Sequence, residues 1–234
     1  MNYNKTTQIK CLMIDSEDKV GWSDFTLETE IPNLFPKIVA VNARYAFFIG
    51  GKIEADLMKP PKKEPKNSVF LVDMILQRVL LSKKLKDYRV HSACVLDKNN
   101  IYVLGGQKIG GHWSQTCSML SFNGEDLIEK KLPDLIFPRR DEKDSIIDVP
   151  CTLFGPSGYV LNSNVYVAGI HIEDSTTRVL KLEKNGWIEF KNFGAHSSGG
   201  FSHLLYIKDS FLIFGGLTLD YKPSSDVYSF KETK

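Results

Sequence analysis

The sequence predicts an all-β protein built as a β-propeller, and three observations predict it. An apolar strand runs into a glycine pair three times: Tyr45–Gly51, Ile101–Gly106 and Phe211–Gly216. A weakened copy, Val165–Gly169, ends in Ala168-Gly169. Counted from Gly50, Gly105, Ala168 and Gly215, the copies recur at spacings of 55, 63 and 47 residues, the period of propeller blades rather than of solenoids or heptads. Helical periodicity is nearly absent. Short β-rich runs are broken instead by Gly, Pro, Asn and Asp.

In a blade, four antiparallel strands run from the axis outward. The glycine pair is expected to end the second strand, where bare backbone can turn and approach a neighbouring chain. Gly50, Gly51, Gly105, Gly106, Gly169, Gly215 and Gly216 are therefore expected to be structural.

The elements follow in order. Residues 8–30 read as a half blade with strands Gln8–Ile14 and Trp22–Leu27. A blade at about 37–85 uses Lys37–Val41, Tyr45–Gly51, Ser68–Asp73 and Arg78–Leu81. The next, at 89–132, uses His91–Leu96, Ile101–Gly106, Thr116–Phe122 and Leu127–Lys131. A third, at 155–191, uses Ser157–Leu161, Val165–Gly169, Thr177–Leu182 and Gly186–Phe190. The last, at 199–234, has Gly200–Tyr206, Phe211–Gly216 and Val227–Phe230. That makes 17 strands, whereas six closed four-stranded blades need about 24. The expectation is about four blades plus part of another: either an unusual small propeller or part of a six-bladed ring whose remaining blades come from residues outside this sequence or from a second chain.

Two inserts interrupt the pattern. Lys52–Asn67 carries Lys59-Pro-Pro-Lys-Lys-Glu-Pro-Lys66, which reads as an extended, solvated loop. Pro133–Pro150 carries Arg139-Arg-Asp-Glu-Lys-Asp144, which reads as an exposed, mobile connection.

Bulk properties bound the function. The 30 basic and 28 acidic side chains leave a net charge of +2, so there is no global attraction to nucleic acid or anionic membrane. The longest apolar runs, about six residues, are far short of a membrane span, and no signal peptide is read at the N-terminus. An intracellular protein is expected. The four cysteines, Cys11, Cys94, Cys117 and Cys151, show no metal or redox spacing and are expected to be reduced packing residues.

Catalytic chemistry is not visible. Gly105–His112 lacks the Lys-Ser/Thr and following helix of a phosphate loop and reads as a flexible inter-strand loop. The five histidines (91, 112, 171, 196 and 203) have no metal-ligand spacing. His91 and His203 fall in first strands, where a buried, hydrogen-bonded role is expected. Glu125-Asp126 and Glu173-Asp174 lie in predicted turns, where solvation accounts for them. No catalytic residue, metal or cofactor is assigned. The candidate contact surface is basic: Lys59, Lys62, Lys63 and Lys66 of the insert with Lys83, Lys84 and Lys86 of the same blade. Seven lysines on one rim would attract a phosphate backbone without reading its sequence.

The glycine pairs, the Arg89-Val-His91-Ser92 lead-in and Trp22, Trp113 and Trp187 resemble kelch-repeat proteins, and the resemblance covers most of the chain. It implies a kelch-type β-propeller. Departures are the Ala168-Gly169 pair and the absence of a fourth-strand tryptophan from two complete blades; only Trp22 and Trp187 sit where it belongs. More narrowly, Phe47–Gly51, the long loop, Val69–Asp73, His91-Ser92, Asn100–Gly106 and Ile170–Phe190 resemble the propeller of the recombination-activating-protein-two family, accessory subunits of the V(D)J recombinase with invertebrate transposon-borne relatives.

That resemblance implies a non-enzymatic interaction module. Its partner would be a recombinase or transposase catalytic subunit, with non-specific DNA contact and a nuclear location. Kelch resemblance alone implies the alternative, a cytoplasmic substrate adaptor of a cullin-type ubiquitin ligase or a cytoskeletal scaffold. A propeller enzyme would need a metal or a convergent acid–base set, and none is read.

Overall fold

The computed structural model describes residues 7–14, 20–27, 31, 33, 36–53, 61–66, 68–140, 145–195 and 199–231. Among them are nineteen strands in six antiparallel sheets. Among them there is no helix long and apolar enough to cross a membrane. A hairpin of β1 (Thr7–Ile14) and β2 (Val20–Leu27) comes first.

Blade one is β3 (Lys37–Ala40), β4 (Tyr45–Ile49), β5 (Val69–Asp73) and β6 (Arg78–Lys83). Blade two is β7 (Ala93–Asp97), β8 (Asn100–Leu104), β9 (Cys117–Phe122) and β10 (Leu127–Lys131). A second hairpin follows, β11 (Ile136–Arg140) with β12 (Ile146–Pro150). Blade three is β13 (Leu153–Leu161), β14 (Asn164–His171), β15 (Thr176–Glu183) and β16 (Gly186–Ala195). Blade four has three strands, β17 (His203–Ile207), β18 (Ser210–Phe214) and β19 (Val227–Phe230). Each blade pairs its strands in chain order, and the first strands β3, β7, β13 and β17 lie side by side. The arrangement is a four-blade β-propeller.

The central strands are apolar on both faces because blades stack on both sides. Side chains alternate across a strand, so one run feeds two cores. Ala46, Phe48, Phe70 and Val72 pack on Leu27 and Ile31 beside the N-terminal hairpin. Their neighbours Phe47, Ile49, Val69 and Leu71 pack on Ile101, Val103 and Leu120 of blade two. Ala93, Leu104 and Cys117 face Leu153, Val167, Leu180 and Trp187 of blade three. Tyr166, Ala168 and Val179 face Phe211, Ile213 and Phe230 of blade four. A one-residue slip would exchange the two faces of a blade, so register is fixed on both sides.

The glycine pairs lie where expected, directly after β4, β8 and β18. Gly50 and Gly106 show why these positions are glycine. Both have left-handed φ, 70° and 105°. A Cβ on Gly50 would sit 2.6 Å from Arg89 O in blade two, and one on Gly106 would sit 2.7 Å from Val90 O in its own blade. One glycine seats the next blade and the other seats its own first strand. Asn33 Nδ2 donates to Gly50 O (2.7 Å) and the Tyr88 hydroxyl donates to Gly51 O (2.7 Å), so these buried carbonyls are satisfied.

Blade three departs from the expectation. Gly169 does not end a strand: β14 runs through Ala168-Gly169 to His171, and Gly169 is an interior strand residue against Leu153 and Phe154. The close approach to the next blade passes to Gly155 in β13, with φ 54°. Phe201 N donates to Gly155 O (2.7 Å), and a Cβ there would lie 2.3 Å from that nitrogen.

Residues 133–150 also differ from the expected mobile connection. They form the β11–β12 hairpin, and Leu135, Phe137 and Cys151 at its base are buried against blades two and three. Each such buried side chain stabilises by about 2 kcal/mol. Trp187 Nε1 donates to Pro133 O (3.0 Å), and the Arg178 guanidinium stacks over Phe137 at 5.0 Å. The charged residues 141–144 lie outside the described residues.

Candidate functional site

Residues 61–66 of the lysine-bearing insert are pinned to the blades rather than freely extended. Pro61 and Pro65 are buried. Gly110 N in blade two donates to Pro61 O (3.2 Å), and Glu64 pairs with Lys84 at 2.5 Å. Residues 61–66 therefore lie beside the seam between blades one and two, and they share that seam with the segment holding Lys84 and Lys86.

The seven candidate lysines divide by role. Lys59 lies outside the described residues. Lys62, Lys63 and Lys66 are exposed on the insert. Lys84 is exposed but paired to Glu64. Lys83 is a cross-blade tie, with Nζ on Asp126 Oδ1 at 2.9 Å and donating to Leu127 O. That pairing holds the Asp126 carboxyl below its ordinary value, so Asp126 is a partner rather than a merely solvated turn residue. The Lys86 backbone N–H donates to Glu129 Oε2 (2.8 Å), and its side chain lines a cleft.

That cleft, about 430 Å³, is bounded by Lys86, Asp87, Lys108, Thr116, Glu129 and Lys131. Asp87 is braced on one side of it. Burial opposes its ionisation, but the Thr116 hydroxyl, donating at 2.6 Å, with Arg89 and Lys108 holds the carboxyl below its ordinary value. Arg89 is fully buried beside this cluster. Nη1 donates to Gly105 O (3.2 Å) and Thr116 O, and Nη2 to Ser118 Oγ (3.0 Å). One planar donor fork thus clamps the ends of β8 and β9 at the glycine pair. The motif containing Arg89 was readable in sequence; its clamping role was not.

The Gly105–His112 loop is tied rather than flexible. Gln107 bridges Val90 and Trp113, and Lys108 N donates to His112 O (2.8 Å). Its counterpart 110 residues later repeats it: Leu217 bridges Gly200 and Pro223, and Thr218 N donates to Lys222 O (3.0 Å). These loops carry an aromatic cluster. Trp113 packs on Phe154 (5.0 Å), Phe154 on Phe201 (5.3 Å) and Tyr221 (5.2 Å), and His91 on Phe201 (5.2 Å). His91 is buried there, as expected. His203 is not: it is exposed and stacks on Phe214 at 5.6 Å.

A second polar group holds the β11–β12 hairpin. Asp174, expected to be merely solvated, accepts from the Thr176 hydroxyl (2.6 Å) and pairs with Arg178, which also pairs with Glu189. His171, 3% exposed, places Nδ1 2.9 Å from Asp174 Oδ1 and Nε2 3.2 Å from Pro150 O. Burial works against the Asp174 carboxylate, but Thr176, His171 and Arg178 outweigh it and hold the carboxyl far below the usual range. Cys94, Cys117 and Cys151 are free thiols, and burial pushes each up to about 12. They stay protonated near neutral pH and act as packing residues.

No family model matches the sequence, and no curated protein matches it. Solved structures do: 157 chains are similar. Among them the structure of YjhT, a β-propeller, superposes with a TM-score of 0.63 over 95% of this chain and 77% of that one, at 14% identity. At that identity the likeness carries the fold and nothing further: this chain, too, is a β-propeller.

Proposed function

We propose that the chain is a non-enzymatic protein-interaction module, and specifically an accessory subunit of a DNA recombinase or transposase. Its blades supply a rigid frame, and its loops hold the partner. The catalytic subunit would be that partner, and the propeller would assist DNA binding and cleavage without supplying catalytic residues. The glycine pairs after β4, β8 and β18 support the kelch part of this reading.

The observation that carries the functional part is the basic seam. Lys63, Lys66 and Lys86 are exposed on segments held to rigid blades, next to the cleft that Lys108 and Lys131 line. Pre-positioned ammonium groups attract an anionic surface at little entropic cost. Co-expression with a transposase catalytic subunit encoded in the same genome tests the reading. Co-purification is expected, with DNA cleavage that needs both chains. Full cleavage by the catalytic subunit alone overturns it.

A further inference from the structure

The core between blades one and two stops short of the surface. Phe47 and Leu71 are buried in it, whereas Val41, Tyr45, Leu81 and Phe122 at its end are only partly buried. These residues surround a cavity of about 260 Å³. Its walls come from blades one and two alone, each a four-stranded sheet.

One wall is built by a β-bulge. Consecutive strand residues face opposite sides of a sheet, yet Leu80 and Leu81 both line this cavity. Between β5 and β6 the register runs Leu71 to Leu81 and then Val72 to Val79, so Leu80 is an extra residue. A bulge re-aims a side chain. Here it brings Leu80, 43% exposed, to the rim.

The rim carries a single charge, Glu125. Asn123 Oδ1 accepts from the Glu125 N–H (3.0 Å) and the Asp126 N–H (2.8 Å), which fixes the turn between β9 and β10. Asp126 pairs with Lys83 at 2.9 Å. Glu125 pairs with no described residue and stands exposed at the opening.

Size and lining select the occupant. An apolar hole of about 150 Å³ takes a benzene ring, and sites for drug-sized ligands begin at about 300 Å³. This cavity lies between the two, so one bulky side chain fills it. Phe47 and Phe122 already meet edge to face, with centroids 5.7 Å apart, and a third ring adds contacts of the same kind. The Glu125 carboxylate attracts a cation beside that ring and repels a phosphate backbone. We infer that this seam is an anchor site for a protein partner: an exposed aromatic side chain enters the cavity, and a neighbouring Lys or Arg meets Glu125. A single ring in a desolvated pocket is the kind of contact that dominates interface energies. The inference rests on the interaction-module reading and is independent of the lysine seam and of the recombinase partner.

Methyl-resolved NMR of the full chain, titrated with the capped peptide Gly-Gly-Phe-Arg-Gly-Gly, tests it. Saturable shifts of the Leu71, Leu80 and Leu81 methyls are expected, with a Kd of about 1 mM for one anchor. Replacing the peptide's Phe by Ala should abolish them. Replacing its Arg by Glu should weaken binding about fivefold, the upper range of an exposed ion pair, and Glu125→Lys should invert that preference. Lys63→Glu with Lys66→Glu should leave the shifts unchanged, which separates this site from the basic seam. No saturable shift up to about 10 mM peptide, shifts that survive the loss of Phe, or equal binding of the Arg and Glu peptides overturns the proposal.

Discussion

Gly50 presses against the Arg89 carbonyl of the next blade, with no room for a side chain: a Cβ would lie 2.6 Å from that oxygen. A Cβ on Gly106 would likewise lie 2.7 Å from Val90 O and press on Ser92 Oγ. Left-handed backbone costs a non-glycine residue about 1 kcal/mol, and backbone contacts this short force the blade to shift. Gly50→Ala and Gly106→Ala should each destabilise by about 3 kcal/mol in denaturant melts. Gly215→Ala, where no described residue lies within 4 Å of a Cβ, should cost only the backbone part, about 1 kcal/mol. Equal losses at all three positions would contradict the contact account.

Arg89 sets up a second comparison. Its guanidinium serves Gly105 O, Thr116 O and Ser118 Oγ at once. Arg89→Met keeps much of the volume but strands those acceptors and the facing Asp87, so a loss of about 3–5 kcal/mol is expected. Arg89→Lys should rescue little, because a single ammonium cannot span both strand ends. Thermal or urea unfolding of the three proteins decides this, and near-wild-type stability of Arg89→Lys would refute the clamp.

The blades were legible because their signal is short-range. Tyr45–Ile49 and Ile101–Leu104 are unbroken apolar runs that stop at a glycine pair, and the strands they pair with, β5 and β9, are the next strands along the chain. What was not legible depends on contacts between distant segments. The β11–β12 hairpin reads as a charged linker because Arg139–Asp144 dominates it. The burial of Leu135 and Phe137 depends on Trp187 and Leu180, which arrive from blade three. Asp174 gains its role only when β15 and β16 bring Arg178 and Glu189 together. His203 was expected to be buried by its first-strand position, but it points to the open side of blade four. For the lysines, composition located the segment; which ammonium is paired and which faces outward rests on Asp126 and Glu64, two acids not considered with them.

Acid should loosen the hairpin anchor first. The Asp174 carboxyl sits far below the ordinary range because Thr176, His171 and Arg178 outweigh its burial. A carboxyl depressed in the folded state stabilises above its unfolded value, about 3.9, and that contribution disappears as pH falls through the folded value. The melting temperature should therefore drop more steeply below about pH 4 in the wild type than in Asp174→Asn, which lacks the titrating group. Parallel pH profiles of the two proteins would remove Asp174 from the anchor.

The lysines make opposite predictions according to role. Lys63, Lys66 and Lys86 are exposed, so the triple charge reversal to Glu should leave stability within about 0.5 kcal/mol. It should weaken binding of the catalytic subunit or of duplex DNA several-fold, more at low salt than at high, because exposed charges are screened over about 10 Å at 0.1 M salt. Lys83→Glu should behave the other way. It sets two carboxylates together at Asp126 and removes the donor to Leu127 O, loosening the tie between blades one and two. Melting measurements paired with binding at two salt concentrations separate the cases. If Lys63, Lys66 and Lys86 reversal leaves binding unchanged at low salt, the basic seam is not the contact surface.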